Sequence, residues 1–540
     1  MRIRLPLALL TGAALLSSVA AVPSLAGAAT PPALPGTTKV LLRNATVSGP
    51  AATSTPQRVV LALALRDDAG LKRLLSAQQT PGSADYHRWL SPAQFTARFA
   101  PSTAAVQTAR SWATSAGLTV NEISSNRTLV TVTGTRAQLD RAFHVTLLQV
   151  RSGSASYVTP DRTATLPAAV RAVTKAVLGL STFQVARRPV LRAATAKASP
   201  YQPYGLATYG PKDFYAIYHA PAATTGTGQT VAVITQGDLT GVRKDLVLFE
   251  QRNGLPRVPL TVVQTTAASK DTSGALEYDL DTQYATGFAP GVKSLLAYNG
   301  DTLADIHPLN RFVTDRKALT ASASYGGCET LNLLVGAVAA DDQVFKQAQA
   351  QGQTFWFSSG DEGSACSLLV NTGTPAGVPD VEYPSSSPYV VAVGGTSLTG
   401  QSSQPLREVS WIGGGGGYSA IESAPAWQTS NLAFSPAVGR GVPDISLDAD
   451  PNSGYTVVVS GTDTAVGGTS ASAPAWNGIW ARVLQRHPGV GFAAPSLYRA
   501  SAGLVDITVG SNGAYQATAG YDLTTGLGTA DITALVAAVR

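Results

Sequence analysis

Histidine is scarce in this chain, and its scarcity limits the kinds of catalysis available. The 540 residues include five histidines, of which only His219, His307 and His487 follow residue 200. Two of these three precede prolines, the other ends an aromatic segment, and none lies in a glycine-flanked loop. We expect structural roles for all three. A hydroxyl nucleophile here must therefore take its general base from another residue type.

Charged residues and long apolar segments are also sparse. Only 13% of the residues are charged, which limits the repulsion that develops when carboxylates become protonated. Beyond the N-terminal 28 residues, no segment is long and uncharged enough to span a membrane. The net charge is +6, but the basic residues are spread out and no nucleic-acid-binding motif occurs. The sequence therefore predicts no nucleic-acid partner.

Residues 1–28 have the pattern of a secretory signal peptide. A short basic start is followed by an apolar stretch from Leu5 to Ala21, and the small residues Ala26-Gly27-Ala28 suit cleavage. We therefore expect a secreted, extracellular protein with no membrane segment after signal cleavage. The alternative is an uncleaved N-terminal anchor.

A serine follows a glycine turn in the segment Gly467 to Pro474. Glycines let the backbone turn sharply, and Pro474 with the apolar residues after it favours the first turns of a buried helix. Ser470 is thereby predicted at a helix N-terminus, as a candidate nucleophile. The alternative is a Ser/Thr cap on an ordinary core helix.

Two carboxylates, Glu277 and Asp281, are four residues apart in a predicted helix that Ser273 caps and that ends near Gly287. This spacing stacks them on one helix face. Two ionised acids so placed repel each other, whereas a buried pair that shares a proton is prepared for acid–base chemistry. A solvated acidic face is the alternative.

A third carboxylate, Asp361, follows an apolar run in Ser358-Ser359-Gly360-Asp361. The pattern predicts a buried parallel strand that ends in a loop, where open α/β sheets carry their active sites. Other short uncharged runs predict further strands at 231–234, 260–263, 294–298, 320–324, 354–357 and 389–393. We therefore predict an α/β fold with a doubly wound, mostly parallel sheet.

Three segments resemble, in order, the three signatures of the sedolisin family, the serine-carboxyl peptidases, including its kumamolisin-like members. They are Glu277-x-x-x-Asp281, Ser358 to Asp361 and Gly468 to Pro474. Further similarity lies in Ser324-Tyr325-Gly326, the glycine-rich run 411–419, and segments 440–444 and 449–451. The resemblance covers essentially the whole chain after the signal peptide. It implies a subtilisin-like catalytic fold.

The resemblance also implies a role for each motif residue. Ser470 is the nucleophile, Glu277 its general base, and Asp281 the residue that orients Glu277. Asp361 takes the oxyanion role, for which it must be protonated, because an ionised carboxylate repels an oxyanion. One carboxyl must be neutral while another accepts a proton, and acidic conditions meet both requirements best. An acid-acting peptidase with protein or peptide substrates is implied.

Residues 29–190 are predicted to form a small α+β domain, with helices near 102–116 and 136–143 and a strand near 128–133. It resembles the activation prodomain of sedolisins, which implies an intramolecular inhibitor. Residues 191–204, in a region rich in Arg, Ala, Pro and Ser, are the predicted linker and maturation region, and 205–540 the peptidase domain.

Charge differs between the two parts of the chain. Residues 1–200 contain 22 basic and 6 acidic residues, a net charge of +16, whereas residues 201–540 contain 17 and 27, a net charge of −10. The contrast predicts electrostatic attraction between the prodomain and the catalytic domain.

The two cysteines, Cys328 and Cys366, each follow a strand-end motif. In an exported protein a single pair is most simply a disulfide. Two free buried thiols are the alternative.

A polar loop near the C-terminus, between Asp506 and Asp522, predicts a structural calcium site. Two carboxylates with exposed carbonyls suit Ca²⁺, which takes six to eight oxygen ligands; an ordinary turn is the alternative. The segment also resembles the family's calcium site, which implies two Asp side chains and three backbone carbonyls as ligands: Asp506, Asp522, Ile507, Thr518 and Gly520. Thr518 departs from the glycine usual there.

Two classes of function follow. The first is a secreted endopeptidase made as a zymogen, or a tripeptidyl-peptidase of the same family. The second is a catalytically silent secreted binding protein that retains the peptidase fold. The joint presence of Ser470, Glu277, Asp281 and Asp361 favours the enzyme. The histidine pattern disfavours a Ser-His-Asp relative.

Overall fold

The computed structural model describes residues 33–42, 45–153, 155–183, 185, 208–366, 378–399, 407–430 and 438–540. Its N-terminal part has seven strands and five helices within these residues. They are β1 (Thr46–Pro50), β2 (Pro56–Leu63), α1 (Asp68–Gln79), α2 (Pro92–Arg98), α3 (Thr103–Ser115), β3 (Thr119–Ile123), β4 (Leu129–Thr135), α4 (Arg136–Phe143), β5 (Leu147–Ser152), β6 (Ala155–Pro160), α5 (Ala168–Val173) and β7 (Thr174–Leu178).

The N-terminal elements form a small α+β arrangement. A four-stranded antiparallel sheet in the order β3-β4-β2-β7 and a three-stranded sheet β1-β5-β6 enclose an apolar core. Helices α2, α3 and α4 begin at Ser91, Ser102 and Thr135, whose hydroxyls accept backbone N–H bonds. Such caps explain why these helices begin where they do. Both helices and the strand expected from the sequence of this region are present.

The C-terminal part alternates strands and helices. In order they are α6 (Pro211–Ile217), β8 (Thr230–Gln236), α7 (Thr240–Asn253), β9 (Leu260–Gln264), α8 (Ala275–Gly287), β10 (Ser294–Gly300), α9 (Ile306–Asp315), β11 (Thr320–Ala323), β12 (Gly327–Cys328), α10 (Glu329–Leu334), α11 (Ala337–Ala350), β13 (Thr354–Ser358), β14 (Ala365–Cys366), β15 (Val378–Pro379), β16 (Glu382–Tyr383), β17 (Val391–Thr399), β18 (Arg407–Ser410), β19 (Gly417–Ser423), α12 (Ala426–Thr429), β20 (Gly439–Val442), β21 (Ile445–Asp448), β22 (Tyr455–Val459), β23 (Thr462–Val466), α13 (Thr469–Arg486), α14 (Ala493–Arg499), a 3₁₀ turn (Ser501–Gly503), β24 (Leu504–Val505), β25 (Thr529–Ala530) and α15 (Ile532–Ala538).

One central sheet organises this part. Its strand order is β18-β17-β13-β11-β8-β10-β9, with β21 also paired to β17, and every pairing except β17 with β18 is parallel. The central strands are buried and uncharged, as parallel strands covered on both faces require. All six strands expected from the sequence lie in this sheet. The predicted α/β class with a mostly parallel sheet is confirmed.

Helix α13 lies at the centre of the largest apolar cluster. Its Trp476 stacks on Trp356 of β13 with ring centroids 5.9 Å apart, and 16 of its 18 residues are buried. Helix α8 packs directly against α13. Helix α13 also packs on β11 and β13, and its first turn lies near the residues that follow these strands, Ser324 and Gly360.

One helix boundary differs from the sequence expectation. Helix α8 begins at Ala275 with Gly274 as N-cap, so Ser273 is not the capping residue. The backbone N–H of Ser273 instead donates to Asp271 Oδ1 at 2.8 Å, in a turn that precedes the helix. Local side-chain to backbone bonds of this kind compete with helix initiation.

A disulfide bond joins Cys328 to Cys366, with their Cα atoms 5.5 Å apart, so the expected bridge is present and the alternative of two free thiols is wrong. The bridge connects the residue after Ser324-Tyr325-Gly326-Gly327 to the loop that follows Asp361. Among the described residues, no helix combines the length and apolar character needed to cross a bilayer.

Candidate active site

Ser470 lies in the first turn of α13 and is fully buried. The turn depends on Gly468, whose φ of +126° is in the region that favours glycine. A Cβ atom at this position would lie 2.6 Å from Asp361 Oδ2. The glycine therefore allows the helix start and the Asp361 carboxyl to approach each other closely.

Asp361 is anchored to the residue before Ser470. The backbone N–H of Thr469 donates to Asp361 Oδ1 at 2.7 Å, and the Thr469 hydroxyl donates to the same oxygen at 2.9 Å. Because Oδ1 accepts two bonds, a protonated Asp361 carries its proton on Oδ2, the oxygen beside Gly468. This is the arrangement that an oxyanion donor next to Ser470 requires.

The glycine-rich run 411–419 supports the loop that carries Asp361. The N–H of Gly415 donates to the Gly360 carbonyl at 2.8 Å, and the Ser359 hydroxyl donates to the Gly415 carbonyl at 2.7 Å. The run thereby holds the residues that follow β13 in place.

Glu277 and Asp281 lie one turn apart on α8, 1% and 0% exposed, and both are therefore buried rather than part of a solvated acidic face. Burial raises the pKa of Asp281 to about 8, although a hydrogen bond from Ser324 partly opposes the increase. That bond joins Ser324 Oγ to Asp281 Oδ1 at 2.6 Å, and Ser324 Oγ also lies 3.3 Å from the backbone carbonyl oxygen of Ser470. The carboxylate helix and the serine helix are thus connected through one hydroxyl.

The three histidines of this part have other partners. His219 Nδ1 lies 2.9 Å from an Asp531 carboxylate oxygen, and His487 Nε2 lies 2.9 Å from the Val536 carbonyl. His307 contacts Asp305 and the N-terminal Thr131. Within the described residues, the Ser470 hydroxyl has no hydrogen-bond partner, and such contacts often form only when substrate binds.

Sequence reasoning missed Glu382 as a residue of this site. A Cβ atom at Gly326 would lie 2.3 Å from Glu382 Oε2, and one at Gly360 would lie 2.9 Å from Oε1, so the carboxylate lies between two site segments. The antiparallel pairing of β12 with β16, which sets Cys328 opposite Glu382, brings it there. No local motif around Glu382 signals this position.

The predicted calcium residues meet around one C-terminal loop. The N–H of Gly520 donates to Asp506 Oδ2 at 2.7 Å, and the N–H of Thr518 donates to Asp522 Oδ2 at 2.9 Å. Ile507, next to Asp506, is buried beside them. The side-chain donors are two carboxylates, and no cluster of three or more His, Cys, Asp or Glu occurs in the described parts of the chain. Two carboxylates with backbone carbonyls are a donor set that suits Ca²⁺.

The same loop contacts the Asp361 region. The N–H of Ser364 donates to the Asn512 carbonyl at 2.8 Å, and the N–H of Ala514 donates to Ser364 Oγ at 2.9 Å. Disorder in the 506–522 loop is therefore expected to reach the residues that follow Asp361.

Comparison with known proteins identifies the family of this chain. Residues 43–183 match the family model of the pro-kumamolisin activation domain. The chain is 36% identical to sedolisin of Pseudomonas sp. (strain 101), over 89% of this chain and 87% of that protein, and 33% identical to xanthomonalisin of Xanthomonas sp. (strain T-22), over 88% and 65%. A solved Pseudomonas sedolisin, a serine-carboxyl proteinase complexed with two molecules of pseudo-iodotyrostatin, is 37% identical, covers 61% of this chain and 97% of its own, and superposes with a TM-score of 0.57. The chain belongs to the sedolisin family of serine-carboxyl peptidases.

Proposed function

We propose that this protein is a secreted, acid-acting endopeptidase, made as a zymogen, which hydrolyses peptide bonds through an acyl-enzyme on Ser470. The observation that carries the proposal is the convergence of α8, β11, β13 and α13: Thr469 anchors Asp361, and Ser324 connects Asp281 to the backbone of Ser470. Export rests on the pattern of residues 1–28, which lie outside the described residues.

In the proposed mechanism the Ser470 hydroxyl attacks the scissile carbonyl while Glu277 accepts its proton. Neutral Asp361 donates from Oδ2 to the oxyanion that forms, so that two negative charges never face each other. Collapse of the tetrahedral intermediate breaks the C–N bond, and Glu277 returns the proton to the leaving amine. Water then attacks the acyl-enzyme, with Glu277 accepting its proton and passing one back to Ser470.

The direct test uses the serine itself. Purified protein is expected to cleave a denatured protein at about pH 4, and Ser470→Ala is expected to remove that cleavage. Ser472→Ala is the matched control, because Ser472 is a buried serine on the same helix whose hydroxyl bonds the carbonyls of Leu447 and Asp448. Residual cleavage by Ser470→Ala equal to that of the control would exclude the serine mechanism. Mass spectrometry of the products separates endopeptidase action from release of tripeptides.

The N-terminal domain acts in this proposal as an intramolecular inhibitor. It packs on α9 and α11 of the catalytic part, where Asn126 donates to Asn310 at 2.7 Å and to Gln347 at 2.8 Å. Its end approaches the site, because a Cβ atom at Gly327 would lie 2.4 Å from the Val185 carbonyl oxygen. The cleavage that releases it is proposed within 191–204, outside the described residues.

Charge contributes to this contact at a few points. Arg58 donates to both carboxylate oxygens of Asp301 at 2.8 Å and to Asp305 at 3.1 Å, a prodomain cation on catalytic anions as the net charges predict. One pair has the reverse polarity, since Lys346 donates to the prodomain Asp68 at 2.7 Å. Within the described residues, Arg58 makes the direct ion pairs of this polarity, and the charges of Lys175 and Lys72 also act on Asp342 and Glu422 of the catalytic part.

Arg58→Ala is expected to accelerate autocatalytic release of the prodomain, because it leaves Asp305 buried without its guanidinium partner. Release is followed on gels between pH 3 and 7 at low and high salt. In the unmodified protein we expect release to be fastest at low pH. We also expect it to be faster at high salt, because salt screens the exposed part of the Arg58 ion pairs. Arg162→Ala is the control, since Arg162 pairs with Asp161 inside the prodomain. Equal rates for both variants, or slowing by salt, would contradict an electrostatic contribution.

We further propose a structural Ca²⁺ ion bound by the carboxylates of Asp506 and Asp522 and the carbonyls of Ile507, Thr518 and Gly520. The ion supplies charge neutralisation that holds the loop together. Chelation, or Asp506→Ala, is expected to lower the melting temperature, since an ion that binds only the folded state stabilises it by linkage. Asp463→Ala is the control, because that exposed carboxylate pairs with Arg252 away from the loop. Unchanged melting after complete metal removal, verified by elemental analysis, would exclude the ion.

A further inference from the structure

Ser324 is the residue through which the carboxylate helix and the nucleophile helix meet. It follows β11 directly and is 3% exposed. Its hydroxyl lies 2.6 Å from Asp281 Oδ1 and 3.3 Å from the Ser470 carbonyl oxygen. A hydroxyl has one proton to donate, and the shorter distance assigns that proton to Asp281.

We propose that Ser324 is a positioning residue, which fixes the oxygen of Asp281 that carries the proton directed at Glu277. The inference rests on the proposed function, in which Glu277 is the general base. Because Oδ1 accepts the hydrogen bond from Ser324, the proton of a neutral Asp281 carboxyl lies on the other oxygen, Oδ2. Within the described residues Asp281 Oδ2 has no hydrogen-bond partner, so in the proposal its proton is available to Glu277, one turn earlier on the same helix face, where it stabilises the ionised form of the base.

The consequence is a base that stays ionised in acid. A buried carboxylate without a donor takes up a proton readily, because desolvation disfavours its charged form. A second carboxyl whose proton always faces it opposes that tendency. Asp281 can play this part because burial raises its own pKa to about 8, so that it is neutral throughout the acidic range.

Within the part of the chain that the structure describes, no other charged group of the surrounding elements bonds to Asp281. Strands β8, β11 and β22 contain no charged residue. Helix α7 turns Asp245 toward Asp279, whose pKa responds to its charge. The Arg482 side chain of α13 donates to the carbonyl of Phe288, the C-cap of α8. The α13 residues Ser470 and Asn477, which lie nearer to Asp281, are uncharged. Glu277 is thus the ionisable neighbour that matters.

The test compares pH profiles of kcat/KM for variants of the full chain, each matured in trans by tagged wild-type enzyme that is then removed. Ser324→Ala is expected to shift the acid limb upward by about one pH unit, which lowers kcat/KM roughly tenfold at pH values below the wild-type limb and by less above it. Ser322→Ala, a buried serine two residues earlier on β11 that bonds Asn477, is expected to keep the wild-type limb.

A second pair separates the hydroxyl from packing. Ser324→Thr retains the donor, whereas Ser324→Val replaces it by a methyl group of similar size. The acid limb of Ser324→Val should therefore lie about one pH unit above that of Ser324→Thr, the shift expected for Ser324→Ala relative to the wild type. Thermal melting confirms that each variant is folded. The inference would be overturned if Ser324→Thr and Ser324→Val had acid limbs at the same pH, or if activity fell by the same factor at every pH. Activity retained by Ser470→Ala would instead overturn the proposed function.

Discussion

Glu277→Gln is expected to reduce turnover by about 10⁴-fold while the protein remains folded. The amide has nearly the shape of the carboxyl but cannot accept the Ser470 proton, so the acylation step loses its base. The side chain is 1% exposed, and an uncharged replacement avoids burying an additional charge. The measurement is hydrolysis of a chromogenic peptide at acidic pH, with the melting temperature recorded for the same samples.

The histidines provide the controls for this prediction. We expect activity within about tenfold of the wild type in His219→Ala, His307→Ala and His487→Ala. Such a loss is smaller than the loss that removal of a general base causes. Their contacts, to Asp531, to Asp305 with Thr131, and to the Val536 carbonyl, are structural. Loss of activity in a folded histidine variant would show that the base is not a carboxylate.

The free energy of unfolding is expected to fall as the pH rises from about 4 to 8, which is the second large effect. Burial, with the charge of Asp245 added, raises the pKa of Asp279 to about 8, and burial with the charges of Asp342 and Glu329 does the same for Glu422. Burial also raises the pKa of Asp448 well above its usual value. Several carboxyls of the catalytic part are therefore protonated when folded at neutral pH.

The sign follows from proton binding. Each such carboxyl has a higher pKa in the folded state than the value near 4 in the unfolded chain, so the folded state binds more protons. The contribution of each carboxyl to the free energy of unfolding is complete below its pKa in the unfolded chain. It decreases by about 1.4 kcal/mol per pH unit as the pH rises toward its pKa in the folded state. Acid thus favours the catalytic fold itself.

Ser470→Ala protein, which cannot digest itself, allows the measurement. Unfolding is followed from pH 4 to 8 by tryptophan fluorescence, since Trp356, Trp476 and Trp480 are buried in the catalytic core. Adding Asp279→Asn to Ser470→Ala should make the free energy of unfolding fall less steeply with pH, by the contribution of one carboxyl. Asp463→Asn is the control, because Asp463 is exposed and paired with Arg252, and it should leave the slope unchanged. Stability that is constant or rises over this range would contradict the assignment of buried neutral carboxyls.

The prodomain contact should respond to acid in the opposite direction. Burial acts to raise the pKa of Asp305, but the hydrogen bond and charge of His307 and the charge of Arg58 outweigh it and lower that pKa. A depressed carboxyl pKa contributes stability above the unfolded value near 4, and the contribution is lost as the pH falls through the folded value. Because His307 belongs to the catalytic part, only the share of this shift that is due to Arg58 belongs to the prodomain contact, and strong acid removes that share.

The sequence by itself determined the candidate site residues, the α/β class and the family resemblance. Each of these depends on short-range patterns: a glycine turn before Ser470, a four-residue spacing between Glu277 and Asp281, and uncharged runs that only a covered parallel sheet accommodates. The strand at 354–357 and the helix at 136–143 were predictable for the same reason, since their periodicity and caps are local.

Only the tertiary structure decided which residues far apart in sequence share the site. Ser324 meets Asp281 because parallel pairing ends β11 beside α8, and Glu382 reaches Gly326 and Gly360 because β16 pairs with β12. Burial, and with it the raised pKa of Asp281, arises from packing by α13, which no local pattern records. Contacts between distant segments are set by how layers pack, and a single sequence carries no period that encodes them.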